Sequence, residues 1–246
     1  MNIQEIIGDA IKYPASNWRK LITLGILFLL VNSLPLLGGL LPAPLLVLIG
    51  VSLILMLIPL FFVIGYAFRV LRTTIAGFDE LPEFDKIWGM FIDGLKVSSV
   101  AIVYMIIPWL IMNIGPFIAH SNPTASSITR LLGIIIAIIF GLLLTIAIAH
   151  MAANDRFKAA FRFREILDVI SEIGWGKYIL WYIIVAIIVW IISFILNFII
   201  TLGYIGLNIA TGPLLAYIIA NLLYAIFIRS YLSLFYLRAL GLLYPK

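Results

Sequence analysis

Residues 178–202 read YILWYIIVAIIVWIISFILNFIITL, without a single charged side chain. A helix rises about 1.5 Å per residue, and roughly 20 apolar residues cross a hydrocarbon core about 30 Å thick. The run is therefore long enough to span a bilayer. Five further segments of the same kind lie near 21–40, 44–68, 97–119, 131–153 and 213–236. The whole chain of 246 residues is 64% hydrophobic and 11% charged, with a mean hydropathy of +1.20. A soluble domain carries about 45–50% apolar and about 25% charged residues. One water-soluble core cannot hide this much apolar surface, so the expected fold is all-α: a polytopic membrane helix bundle of six transmembrane helices in a single integral membrane domain, 1–246. The runs are too long and continuous for the alternating strands of a barrel. Pro35, Pro59, Pro108 and Pro116 fall within or near the ends of spans. Each removes a backbone donor, so kinks are expected there.

The charges are sorted between the two ends of these spans. Fifteen of the sixteen Lys and Arg residues, and all eleven acidic residues, fall in the N-terminal segment, the 69–96 and 154–177 connections and the C-terminal end, leaving Arg130 alone on the other face. The positive-inside rule places both termini and both long connections in the cytoplasm of a multi-pass cell-membrane protein. The outer turns, Leu37–Ala43, Ala119–Arg130 and Gly203–Gly212, are then short and nearly uncharged. Asn122-Pro123-Thr124 is no glycosylation sequon, because proline holds its middle position. Residues 1–20 do not read as a cleavable signal peptide, since Glu5 and Asp9 stand where a basic region belongs. Trp18 beside Arg19-Lys20, and Trp175 near Lys177, read as inner-interface anchors.

Three inner segments share an apolar stripe at helical spacing: Ile3, Ile6, Ile7, Ala10 and Ile11; Phe84, Ile87, Trp88, Phe91, Ile92 and Leu95; and Phe163, Ile166, Leu167, Ile170 and Ile173. They predict three amphipathic helices on the cytoplasmic face, lying in the headgroup layer or covering the inner end of the bundle. Each precedes two spans, which suggests a threefold parallel repeat over 3–72, 84–156 and 163–238.

Composition excludes several chemistries. With no cysteine and only His120 and His150 as histidines, disulfides, zinc–thiolate sites and multi-histidine metal centres are ruled out. No cofactor is expected. The basic residues flank apolar spans rather than forming a solvated patch, so membrane lipids are the expected partners and nucleic acid is not. Serines such as Ser52, Ser98 and Ser193 have no Asp or His at the same depth, so an enzyme is not expected.

Two groups of residues stand out as candidate sites. Asn32, Asn113 and Asn197 sit in the first span of each repeat. A carboxamide facing lipid is costly, so they should point inward, either as a ring lining a polar pathway or as interhelical hydrogen bonds. His150 and Arg229 are the most deeply placed ionisable groups, a turn or two from the inner end; His150 suits a proton relay, and both suit snorkelling to the interface. The second group is the 65–96 connection. Arg69 and Arg72 share a helix face, and Asp79, Glu80, Glu83 and Asp85 lie close by. Pro82 breaks the chain, Asp93 suits a helix cap, Gly94 a bend and Lys96 a snorkelling cation. The cluster either fastens the connection to the bundle or binds a lipid phosphate.

The pattern Gly65-Tyr66-x-x-Arg69-x-x-Arg72, then Gly77-Phe78-Asp79-Glu80-Leu81-Pro82-Glu83-Phe84, then Asp93-Gly94-x-Lys96 resembles an uncharacterised family of archaeal and bacterial multi-span membrane proteins known as a domain of unknown function. The resemblance covers most of the chain, including the end of an N-terminal helix near Tyr13-Pro14 and Asn17-Trp18. More distantly, the layout is similar to the membrane domain that precedes some glycerophosphodiester phosphodiesterases. No catalytic phosphodiesterase domain follows here, so that activity is not implied. The resemblance implies a multi-span topology and leaves the activity open. Two functions remain in contention: transport or handling of a small molecule or lipid, and a scaffold or assembly subunit that docks a protein partner, or a second copy of itself, through Tyr66, Arg69, Arg72, Pro82, Asp93 and Lys96.

Overall fold

In lipid each backbone N–H and C=O must find its partner inside the chain, and a helix does this locally. The computed structural model describes residues 2–38, 44–119 and 123–245, and they form helices and turns without a strand. Helix α1 (Ile3–Lys12) leads through a 3-10 turn (Tyr13–Ser16) into α2 (Trp18–Gly38). Then come α3 (Leu45–Ile75), α4 (Ile87–Ala119) and α5 (Pro123–Asn154). A second 3-10 turn (Phe157–Phe161) leads to α6 (Phe163–Ile173) and α7 (Trp175–Thr211). The last rod comprises α8 (Pro213–Leu223), a π-helical segment (Tyr224–Ser230) and α9 (Tyr231–Leu243).

Among the described residues, five helical rods are long and apolar enough to cross a membrane: Val47–Ile75, Ile87–Ile114, Ser126–Asn154, Trp175–Thr211 and Pro213–Leu243. The chain is a multi-pass membrane protein, and the exposed apolar faces of these rods are its contact with lipid. The sixth expected segment coincides with α2, which runs to the edge of the described residues. Helix α3 is the hub of the bundle, packing against α2, α4, α5 and α9.

Glycine sets how closely α3 and α4 cross. A methyl group at Gly65 would run into the Met90 carbonyl, and one at Gly94 into the Phe61 carbonyl. The two backbones touch at reciprocal positions, as small residues allow in membrane helix pairs. Gly94 is thus a crossing residue and not a bend. For the same reason the expected second amphipathic helix is not separate: α4 runs unbroken from Ile87 to Ala119. Phe84 lies in the preceding loop, stacked on Tyr66, and Asp93 is an interior residue of α4 rather than a cap.

The first and third stripes do form helices. Asn2 and Glu5 close a capping box on α1. Ile6 and Ala10 of α1, like Ile166 and Ile170 of α6, are buried against the charged end of the bundle. Helix α1 is also pinned by the Tyr231 hydroxyl, which donates to the Ile11 carbonyl at 2.6 Å.

At the uncharged end, helix takes up most of the residues expected in the second and third turns. Residues 39–43 and 120–122, His120 among them, lie outside the described residues, but α5 is already helical from Pro123. The Gly203–Gly212 turn is helical as far as Thr211. The chain reverses at Gly212, whose φ of +87° suits glycine, and Pro213 opens the next helix from its first position.

Gly94→Leu forces α3 and α4 apart by the width of a side chain. The expected loss is about 3 kcal/mol or more of stability, read as a lowered melting temperature in detergent; an unchanged melting temperature contradicts the crossing.

Candidate functional site

The charged end is assembled around arginines that the helices carry into it. Arg238 of α9 is 2% exposed, flanked in sequence by Leu237 and Ala239, and can be accommodated only by acids from elsewhere in the chain. Its Nε donates to Asp9 of α1 at 2.6 Å, one terminal nitrogen to Asp79 at 2.6 Å and the other to the Phe78 carbonyl at 2.7 Å. The guanidinium also lies over the Tyr13 ring, 4.7 Å from its centre. Burial raises the Tyr13 pKa, against the pull of Arg238, so its hydroxyl stays protonated and donates to the Glu80 carbonyl. Nothing in the sequence reading singled out Arg238. The cue was available: a cation with apolar neighbours on both sides must have distant acids.

Arg69, Tyr66 and Lys20 hold the 76–86 loop. Arg69 donates to the Asp85 carboxylate at 2.8 Å, the Asp85 carbonyl at 2.6 Å and the Lys86 carbonyl at 2.9 Å. Lys86 has a φ of +45°, so this clamp sits on a left-handed residue directly before α4. Tyr66 is fully buried; it donates to the Pro82 carbonyl at 3.1 Å and stacks on Phe84 at 3.9 Å. Lys20 reaches the Leu81 carbonyl and the Glu83 carboxylate, each at 2.6 Å. Arg72 pairs with Asp155 at 2.7 Å and more loosely with Asp93 at 3.7 Å, while Lys96 lies 3.5 Å from Asp93. Of the six connection residues singled out from the sequence, Arg69, Arg72, Pro82 and Asp93 line a cleft of about 400 Å³, while Tyr66 and Lys96 touch it only through Pro82 and Asp93. Most of the Arg69 donors are spent on the loop itself, which is the fastening arrangement.

His150 belongs to a second polar cluster. Its Nε2 is 2.9 Å from Glu165 of α6 and its Nδ1 is 2.7 Å from the Tyr244 hydroxyl. Asn154 donates to the His150 carbonyl at 2.9 Å. Burial, with Glu172 and Glu165 nearby, pushes Tyr244 up to about 12. Hydrogen bonds from His150 and Arg162 hold the Glu165 carboxyl below its ordinary 4.5. The cluster ties α5, α6 and the C-terminal end together.

The three asparagines do not form a ring. Asn113 and Asn197 are exposed, and each donates to its own helix, to the Trp109 carbonyl at 2.8 Å and the Ser193 carbonyl at 2.7 Å. A carboxamide satisfied four residues back needs no neighbouring helix, so the inward-facing expectation is corrected for these two. Asn32 alone reaches across, accepting from Arg229 at 2.9 Å. Arg229 does not snorkel to the charged end; it faces α2 and the Tyr224 ring, 5.2 Å away.

Between α2, α3, α5 and α9 lies an apolar cavity of about 440 Å³. Its walls are almost entirely aliphatic and aromatic, including Phe28, Ile64, Phe68, Leu144 and Leu237, with Thr145, Ser233 and Tyr236 as hydroxyls. Among the described residues, no three His, Asp or Glu side chains gather as a metal site.

Residues 48–201 match the family described as Protein of unknown function (DUF4013). The chain belongs to this family. The DUF4013 match takes in the α3–α4 crossing, the Arg69 clamp and the His150, Asn154 and Glu165 part of the second cluster, and ends before Arg229, Arg238 and Tyr244. No curated protein and no solved structure matches the chain.

The folded-state pKa of Glu165 is lowered, so its contribution is present above the unfolded value and is lost as pH falls through the folded one. Spin labels on cysteines at Ala153 and Asp168, in a chain with no native cysteine, should keep their distance from pH 7 to pH 5. The distance should broaden below about pH 4, under the ordinary carboxylate range, and already at pH 7 in Glu165→Gln. A distribution that ignores both changes removes the cluster as the tie on α6.

Proposed function

We propose that this DUF4013 protein handles lipids, taking the apolar part of an amphiphile into the cavity between α2, α3, α5 and α9. The cavity carries the reading. Ligand pockets are clefts or cavities of roughly 300–1,000 Å³, mostly apolar with a few placed polar groups. A chamber of about 440 Å³ with three hydroxyls in an apolar wall fits that description. The fastened connection at the charged end supplies the rigid frame around it.

The same reading includes α2 as a sixth span, with the charged end in the cytoplasm, both termini there, and the units 3–72, 84–156 and 163–238 as repeats within one membrane domain. The sorting of the cations supports the orientation. A cysteine at Thr211 should react with an impermeant maleimide on intact cells, and one at Ser16 should not; the opposite pattern inverts the topology.

Docking of a protein partner is the second reading. It is favoured by Ile87 and Trp88, which stand exposed at the start of α4 next to the Arg69 clamp, and by exposed Phe78 at the Arg238 end of the same loop. One purification from native membranes separates the two. Lipid handling expects a bound amphiphile by mass spectrometry, depleted in Ala67→Phe, which fills the cavity, and retained in Trp88→Ala. Docking expects a stoichiometric protein companion lost in Trp88→Ala alone.

A further inference from the structure

We infer that Arg229, positioned by Asn32, binds the anionic head of an amphiphile whose apolar part occupies the cavity. The inference rests on the lipid-handling reading and adds the chemical class of the ligand.

Depth is the first observation. Arg229 lies nine residues before Arg238 on the same rod, about 13 Å farther from the charged end. Helical side chains lean toward the N-terminus of their helix, here the uncharged end, and the guanidinium meets Asn32. A cation at this depth is removed from water by about half of a hydrocarbon core.

The second observation is the missing counter-charge. Among the described residues, its one hydrogen-bond partner is the side-chain amide oxygen of Asn32, and the Tyr224 ring offers only its π face. Every acidic residue of the chain lies at the charged end or in the connections there. A second copy lying parallel would bring its acids to that same end and none to Arg229. Intramembrane cations are costly and are retained where they meet a partner, so the counter-charge comes from a bound molecule.

The third is position. Asn32 is one turn beyond Phe28 on α2, and Arg229 is one turn before Ser233; both Phe28 and Ser233 line the cavity. The cation therefore lies one helical turn beyond the cavity lining, on the side away from the charged end. A π-helical segment, Tyr224–Ser230, carries Arg229, with Ser230 Oγ donating to the Ala225 carbonyl at 2.8 Å. Such turns shift the register of side chains and recur at functional sites. A guanidinium presents five donors in a planar fork, of which Asn32 takes one, leaving a pair for two oxygens of a phosphate or carboxylate.

The test is equilibrium binding of hexadecyl phosphate, hexadecanol and inorganic phosphate to the purified full chain in neutral detergent. The expected result is that hexadecyl phosphate binds about tenfold tighter than hexadecanol and is not displaced by millimolar inorganic phosphate. Arg229→Gln should bring the phosphate probe to the affinity of the alcohol without changing the alcohol, and Arg229→Lys should keep part of the preference. Equal affinities in the native chain overturn the assignment, as does a preference that survives Arg229→Gln. Displacement by inorganic phosphate overturns it in favour of a simple anion site. Ala67→Phe should weaken both long-chain probes; if hexadecanol binding ignores that change, the cavity reading itself fails, independently of Arg229.

Discussion

A buried guanidinium that must be matched by acids from distant parts of the chain organises the charged end. Arg238 meets Asp9, 229 positions away, and Asp79, 159 positions away. One side chain thus fixes α1, the 76–86 loop and α9 relative to one another. The arrangement adds specific, directional contacts to the apolar stripes of α1 and α6 that are buried at the same end. Removing one member of such a set leaves a buried charge uncompensated, which costs about 3–5 kcal/mol in comparable cases.

The Arg69 clamp and the α3–α4 crossing work together. The glycines bring the two backbones into contact, and Arg69 then binds the carbonyls at the start of α4 from a position on α3 one turn past Gly65. Tyr66 follows Gly65 and buries itself against Pro82 and Phe84. The motif Gly65-Tyr66-x-x-Arg69 is therefore one device: a close approach, a wedge and a clamp on the same two turns. Its partner half, Asp93-Gly94-x-Lys96, supplies the reciprocal approach and the acid facing Arg72. The motif is explained by packing between α3, α4 and the connecting loop.

Much of this was legible from the sequence, because the governing physics is local. Continuous apolar runs announce α3, α4, α5, α7 and the last rod, and the stripes of α1 and α6 announce amphipathic helices. What escaped depends on distance or register. Glycine at 94 reads equally as a hinge or a contact, and only the facing Phe61 decides. Asn113 and Asn197 look like Asn32 in sequence but bond their own helices, since a carbonyl four residues back is always available. The π-helical segment leaves no mark in the apolar pattern, yet it determines where Arg229 faces. Arg238 was counted among the basic residues of the C-terminal end, although its setting between apolar neighbours required partners beyond its own segment.

Helix α7 contains 37 residues, about 55 Å of rod. That is far more than a bilayer core of about 30 Å accommodates upright. Together with α8 it stands largely apart from the other helices toward its far end, where Phe198, Leu202 and Ile209 are exposed. Hydrophobic mismatch of this size must be absorbed by a steep lean, by lipids stretched around the hairpin, or by both, at a fraction of a kcal/mol for each Å. A rod of this length leans more steeply as the surrounding bilayer thins.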